Sequence, residues 1–139
     1  MIEKWAMIEN ERRKFLHNKF EALGISYGEA VVLLVIANNP SVSQDNISML
    51  TGLGKASIAK ILSALEDKQL IAREVNDHNK REKLTHLLPT GQAMIAELSD
   101  CIKTWNKVCF LGLSENEMNM LNEILDKIVY NLKNEVEVR

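Results

Sequence analysis

Apolar residues recur every three or four positions along most of this chain, and the period changes only once, near the middle. Phe15, Leu16, Phe20 and Leu23 keep helical spacing while Glu11, Arg12, Arg13 and Lys14 lie mostly on the other side, which predicts a first helix over about residues 2–22, stopped by Gly24. Ser26 and Glu29 form a Ser-x-x-Glu capping box ahead of Ala30–Ala37, a run apolar on every side. Such a helix must be covered on most faces, so it is the expected central strut, ended by Asn38-Asn39-Pro40. Ser43 is the expected N-cap of a short helix reaching Thr51, with Ile47 and Leu50 facing inward, and Leu53-Gly54 turns the chain into a helix over Lys55–Lys68. Ile58, Ile61, Leu62 and Leu65 form the buried stripe of that helix.

The period then shortens. Leu70, Ile71 and Val75 favour one strand and Leu84, Thr85, His86 and Leu87 another, predicting a hairpin inside Leu70–Pro89 tipped by Asp77-His78-Asn79-Lys80-Arg81. Pro89 suits the first turn of a new helix to about Phe110, striped by Ile95, Leu98, Ile102, Trp105 and Cys109 and broken at Gly112. Ser114 and Glu117 make a second capping box, and the last helix runs to about residue 136. Its stripe is Met118, Leu121, Ile124, Leu125, Ile128, Val129, Leu132 and Val136, wider than one small domain can cover. The expected fold is mainly α with a small β-hairpin wing. Residues 26–88 form a winged helix-turn-helix, and residues 1–24 and 89–139 form a helical dimerisation layer of the same unit.

That arrangement suits duplex DNA, with a helix in the major groove and a basic wing reaching phosphates or the minor groove. The outer face of the Lys55–Lys68 helix presents Lys55, Ala56, Ser57, Ala59 and Lys60, small and basic, and its acids come only at Glu66 and Asp67. Small side chains let a helix sit deep in a groove. On the wing, Asn79, Lys80, Arg81 and Lys83 are the candidate contacts; Arg81 and Lys83, two apart, share a strand face. Charge is distributed to match. Residues 53–83 hold 7 basic and 5 acidic side chains, against 5 and 6 before them and 5 and 8 after, within a net charge of −2. Focused basicity on an acidic body excludes a histone-like binder and fits a selective one with a limited phosphate footprint.

Other chemistries lack their residues. The longest apolar run has eight residues, Ala30–Ala37, against roughly 20 for a bilayer crossing, and the N-terminus does not read as a secretory signal, so a cytoplasmic location is expected. Cys101 and Cys109 lie about 12 Å apart along one predicted helix and cannot bridge within a chain. His17, His78 and His86 show no ligand spacing, so no metal or cofactor is expected. Gly52-Leu53-Gly54-Lys55 falls short of a phosphate-binding loop, and no nucleophile–base arrangement stands out, which argues against an enzyme. The alternative from another class is a winged-helix protein–protein adaptor without DNA binding; Lys55, Lys60, Arg81 and Lys83 on the reading face argue against it.

The chain resembles the MarR family of bacterial transcriptional regulators over nearly its whole length. Val42–Leu53 looks like the family's helix-three stretch, and Ser57-Ile58-Ala59-Lys60 sits where a Thr-Val-Thr-Arg type sequence is usual. Leu65-Glu66-Asp67-Lys68-Gln69-Leu70-Ile71-Ala72-Arg73 resembles Leu-Glu-x-Lys-Gly-Leu-[Ile/Val]-x-Arg, and Arg81 to Gly91 keeps the family spacing. The resemblance implies a homodimer on a pseudo-palindromic double-stranded operator and, often, repression relieved by a small, commonly phenolic ligand, for which Trp5, His17, Tyr27 and Trp105 are candidate lining residues. Carried over residue by residue, DNA contact falls on Ser43, Gln44, Lys55, Ser57, Lys60, Asn79, Arg81 and Lys83. Three positions depart from the pattern. Asn79 replaces the usual Asp before the wing arginine, Gln69 the usual Gly after helix four, and Leu88 the usual Thr cap of helix five.

Overall fold

Capping chemistry sets most element boundaries in the computed structural model, which describes residues 1–135. Helix α1 (Ile2–Ala22) ends where Gly24 takes φ 77° and the amides of Gly24 and Ile25 return to the carbonyls of Glu21 and Phe20. Helix α2 (Tyr27–Asn38) opens on the expected capping box: Glu29 N donates to Ser26 Oγ (3.1 Å) and Ser26 N to Glu29 Oε1 (2.8 Å). From Ala30 to Ala37 no residue of α2 is exposed, as a helix apolar on every side requires.

Strand β1 (Val42–Ser43), α3 (Gln44–Thr51), α4 (Lys55–Asp67), β2 (Ile71–Asn76) and β3 (Asn79–Leu87) complete the winged helix-turn-helix. The sheet has three strands, not the two of a simple hairpin. Its order is β1-β3-β2, antiparallel, with Val42 opposite Thr85 and Ser43 opposite Leu84. Two residues are too few to show a strand periodicity, which is why β1 leaves no sequence signal. The core gathers Leu16 and Phe20 of α1, Val32, Leu33 and Ile36 of α2, Ile47 of α3, Ile58, Leu62 and Leu65 of α4, and Leu98 of the next helix.

Leu50 is corrected: it does not face inward and is 54% exposed, while Ile47 is fully buried. At about 100° per residue, Gln44, Ile47, Ser48 and Thr51 occupy one arc of α3, and Leu50 falls about 60° outside it. A helix of only eight residues buries this one narrow arc.

Helix α5 (Pro89–Cys109) and α6 (Glu115–Glu135) follow. Gln69 stands at φ 59°, the left-handed residue after α4, and its carbonyl accepts a hydrogen bond from the Thr90 hydroxyl. Leu88 N donates to Leu70 O, so the start of α5 is fixed without a capping oxygen at Leu88. Gly112 (φ 85°) follows α5, and Ser114 and Glu117 form the second capping box. Two compact units result, one ending at Trp105 and one starting at Asn106. In the first, Phe15 packs on Trp105 with ring centroids 5.6 Å apart. In the second, Met118, Leu121 and Ile128 are half-buried, Ile124, Leu125, Val129 and Leu132 are exposed, and Val136 lies outside the described residues.

Candidate nucleic-acid interface

The helix-turn-helix presents α4 because three of its apolar residues are consumed by the core. Ile58, Leu62 and Leu65 are buried and Ile61 is half-buried. The opposite arc therefore holds Lys55, Ala56, Ser57 and Lys60, all exposed, with Ala59 half-buried. Ser63 is exposed on the same arc, seven residues beyond Ala56, and extends the reading face by one turn beyond Lys60.

Ser43 is 4% exposed, and its Oγ accepts the amide of Asn46 at 3.2 Å. Its hydroxyl is used in capping α3, so it shapes the surface from beneath. Gln44, the first residue of α3, is half-buried and meets the wing: Arg73 of β2 donates from one terminal nitrogen to Gln44 Oε1 at 3.4 Å. The same guanidinium, with its side chain 15% exposed, donates Nε to Glu66 Oε1 at 2.9 Å and pairs with that carboxylate through its other terminal nitrogen. One arginine thus links α3, the end of α4 and the wing.

The wing is tighter at its tip than expected and looser on one side. Only Asp77 and His78 form the turn, so Asn79, Lys80 and Arg81 belong to β3 rather than to the loop. Opposite Val75 stands Lys83, but opposite Asn76 stands Asn79, so Lys80, Arg81 and Glu82 have no ladder partners in β2. The bulge breaks strict alternation, and Arg81, Glu82 and Lys83 all line one open hollow of about 320 Å³ with Gln44, Asp45 and Arg73. Asn79 and Lys80 do not line it. Asn79 Oδ1 instead accepts the backbone amide of Arg81 at 3.2 Å, so the residue in the usual Asp position holds the backbone of Arg81 and not its guanidinium.

Asp45 joins the hollow to the reading helix: its carboxylate lies 3.7 Å from Lys55 Nζ. The start of α4, the start of α3 and the wing therefore share one surface, with Lys55, Arg73, Arg81 and Lys83 as cations and Asp45 and Glu82 as acids among them. Asp45, Arg73 and Glu82 were missed in the sequence because nothing in their spacing shows that β2 and the bulged β3 come against α3.

A second hollow of about 490 Å³ lies in the first unit between Asn10, Arg13, Lys14 and His17 of α1 and Tyr27 of α2. Of the four residues named as candidates for lining a ligand site, His17 and Tyr27 line this hollow. Trp5 donates to Glu9 on α1, and Trp105 packs on Phe15; neither lines this hollow.

No single helix among the described residues is long and apolar enough to cross a membrane. Residues 23–82 match the family model described as the MarR family. A protein of Thauera aromatica, provisionally named as the transcriptional regulatory protein for the hcr operon, is 28% identical over 116 residues, which is 84% of this chain and 70% of that protein. The crystal structure of MarR superposes with a TM-score of 0.87 at 19% identity, covering 100% of this chain and 95% of the other. A provisionally named MarR family transcriptional regulator from Listeria monocytogenes, complexed with a 26-mer DNA, gives 0.84 at 23% identity, covering 95% of this chain and 88% of the other. The matched segment takes in α2, β1, α3, α4 and the wing as far as Glu82, so the winged helix of this chain is similar to that of the MarR family.

Proposed function

We propose that this protein is a non-enzymatic, sequence-specific double-stranded DNA-binding transcriptional regulator of the cytoplasm, acting as a homodimeric repressor. The observation that carries the reading is the continuous surface running from Lys55 through Asp45 to the hollow lined by Gln44, Arg73, Arg81 and Lys83. Helix α4 enters the major groove with Lys55, Ala56, Ser57 and Lys60 outward. The bulged wing brings Arg81 and Lys83 to the flanking phosphates or minor groove, with Lys80 and Asn79 beside them. The DNA complex of the Listeria monocytogenes relative supports the same class of partner.

Exposed Ile124, Leu125, Val129 and Leu132 on α6 support a second copy of the chain as the partner of that helix. A dimer presents two reading heads to half-sites about one helical turn, roughly 34–36 Å, apart on a pseudo-palindromic operator. The hollow at Arg13, Lys14, His17 and Tyr27 supports release by a small phenolic or other aromatic ligand: the rings of His17 and Tyr27 stand beside two cations around a space of a size suited to one.

The deciding experiment is titration of a labelled operator fragment, located by genomic footprinting, at several salt concentrations. Wild-type affinity is expected to fall steeply with salt, and Arg81→Ala to weaken binding and lower the salt slope by about one. Binding indifferent to salt would favour the protein–protein adaptor instead.

A further inference from the structure

We infer that Gln44 contacts the DNA backbone as a pure hydrogen-bond donor and reads no base, and that Arg73 is the positioning residue that fixes this polarity. The inference rests on the DNA-binding reading above and specifies one contact within it.

A guanidinium has five N–H donors and no acceptor. Where Arg73 meets the Gln44 amide, only the amide oxygen can face it, and the 3.4 Å contact is made to Oε1. The Nε2 amine is then left on the side away from Arg73. Arg73 does not swing freely: Glu66 holds it through Nε at 2.9 Å and through a terminal nitrogen, and it is largely buried. The Gln44 backbone is fixed as well, because it follows Ser43, the last residue of β1 and the N-cap of α3, and opens α3.

Glutamine recognises adenine by using both ends of its amide at once, accepting from N6 and donating to N7. With Oε1 turned to the Arg73 guanidinium, the amide edge is held toward the wing, and the bidentate pairing, which needs both ends of the amide aimed at one base, is not presented. A lone N–H₂ donor suits a phosphate oxygen, and Arg81 and Lys83 line the same hollow and attract the backbone there. Gln44 therefore sets the register of α3 on the duplex without selecting sequence. A neutral donor releases no counterion, so this contact differs from those of the neighbouring cations in one measurable respect: its removal leaves the salt slope unchanged.

The experiment compares wild type, Gln44→Ala, Arg73→Lys and the double variant, with thermal melts to verify folding. Binding is measured to the operator and to a panel of single-base operator variants at three salt concentrations. Gln44→Ala is expected to weaken every duplex by the same factor, about three- to ten-fold, with an unchanged base-preference profile and salt slope. Arg73→Lys keeps the charge but lacks the fork that orients the amide. In that background Gln44→Ala is expected to cost less than about two-fold more, the signature of two residues acting as one contact. A preference altered at one base pair, no loss in Gln44→Ala, or equal losses in both backgrounds would overturn the inference. Should Arg73→Lys fail to fold, the profile of Gln44→Ala decides alone. Wild-type protein that binds no duplex refutes the parent reading, a result distinct from any of these.

Discussion

Lys68 Nζ lies 2.8 Å from Glu29 Oε1 and 2.9 Å from the carbonyl oxygen of Gly24, joining the end of α4 to the α1–α2 corner. Glu29 is 7% exposed and also accepts the Ser26 amide, so a residue that began as half of a capping box is a buried charge with two partners. Burial alone would raise its pKa. The hydrogen bond from Lys68, the Ser26 amide and hydroxyl, and the Lys68 charge outweigh burial and hold the carboxyl below its ordinary value of 4.5. The folded value is depressed, so the stabilisation is full above the unfolded value and is lost as pH falls through the folded one. Glu29→Gln is expected to lower stability by about 2 kcal/mol near neutral pH, and the gap to wild type to narrow below pH 4.5. Urea unfolding of both proteins at about pH 7 and pH 3 measures it; a gap that stays constant would remove the charge from the account.

Gln69 illustrates a sequence that violates a local rule and still obeys the fold. Its φ of 59° is a glycine conformation, and Leu70 N reaches back to Leu65 O at 3.0 Å as the cap geometry demands. Gln69→Gly is expected to stabilise the protein by about 0.5–1 kcal/mol, relief of left-handed strain exceeding the added flexibility of the unfolded chain. A shift of the urea midpoint to lower concentration would contradict this.

Much of this fold was legible because its signals are local. Gly24, the two Ser-x-x-Glu boxes and the Ile58–Leu65 stripe each fix an element from within a few residues. What escaped depends on partners distant in sequence. β1 exists because Val42 and Ser43 meet Leu84 and Thr85, and Leu50 turns outward because α3 is pressed on one narrow arc. The candidate site divides the same way. Lys55, Ser57 and Lys60 follow from the helix period alone, whereas Arg73 joins Gln44 and Glu66 only after the sheet has formed. The wing bulge is a register effect, invisible to a reading that assumes strict alternation past Val75.

Gly91 opens α5 against the Leu70 carbonyl. A Cβ there would fall deep inside van der Waals contact of that oxygen and 3.2 Å from Leu87 Cδ2. The oxygen is also the acceptor for Leu88 N, so the backbone cannot retreat without losing that bond. Gly91→Ala is expected to destabilise by about 2–3 kcal/mol, within the range for overpacking a core. Thermal unfolding checks it; a variant melting with wild type would show that α5 can shift freely.

Thr85 is fully buried in β3, and its Oγ1 has no hydrogen-bond partner among the described residues. Burying an unpaired hydroxyl costs about 1–3 kcal/mol, while valine has nearly the same shape and favours strands. Thr85→Val is expected to raise stability by about 1 kcal/mol and to leave DNA affinity unchanged. Loss of stability would mean that the hydroxyl has a partner, such as an ordered water.

Ile124 is 47% exposed on α6, near Leu125 at 37% and Val129 at 47%. These residues lie on the apolar stripe of a helix that carries acids elsewhere around its circumference, at Glu115, Glu123 and Asp126. Apolar side chains in that arrangement favour association, and the proposed homodimer covers them with a second copy of the same stripe. A carboxylate at Ile124 would be desolvated twice in a symmetric interface, once from each chain, so Ile124→Glu is expected to yield monomers at micromolar concentration by light scattering. The substitution leaves the winged helix itself unchanged. Affinity for an isolated half-site should therefore persist, while affinity for a full operator should fall by at least about a hundred-fold because two linked contacts become independent ones. The salt slope on the full operator should drop to about half as each monomer neutralises its own phosphates only. A variant that stays dimeric, or one that loses half-site and full-site binding equally, would separate this face of α6 from DNA recognition.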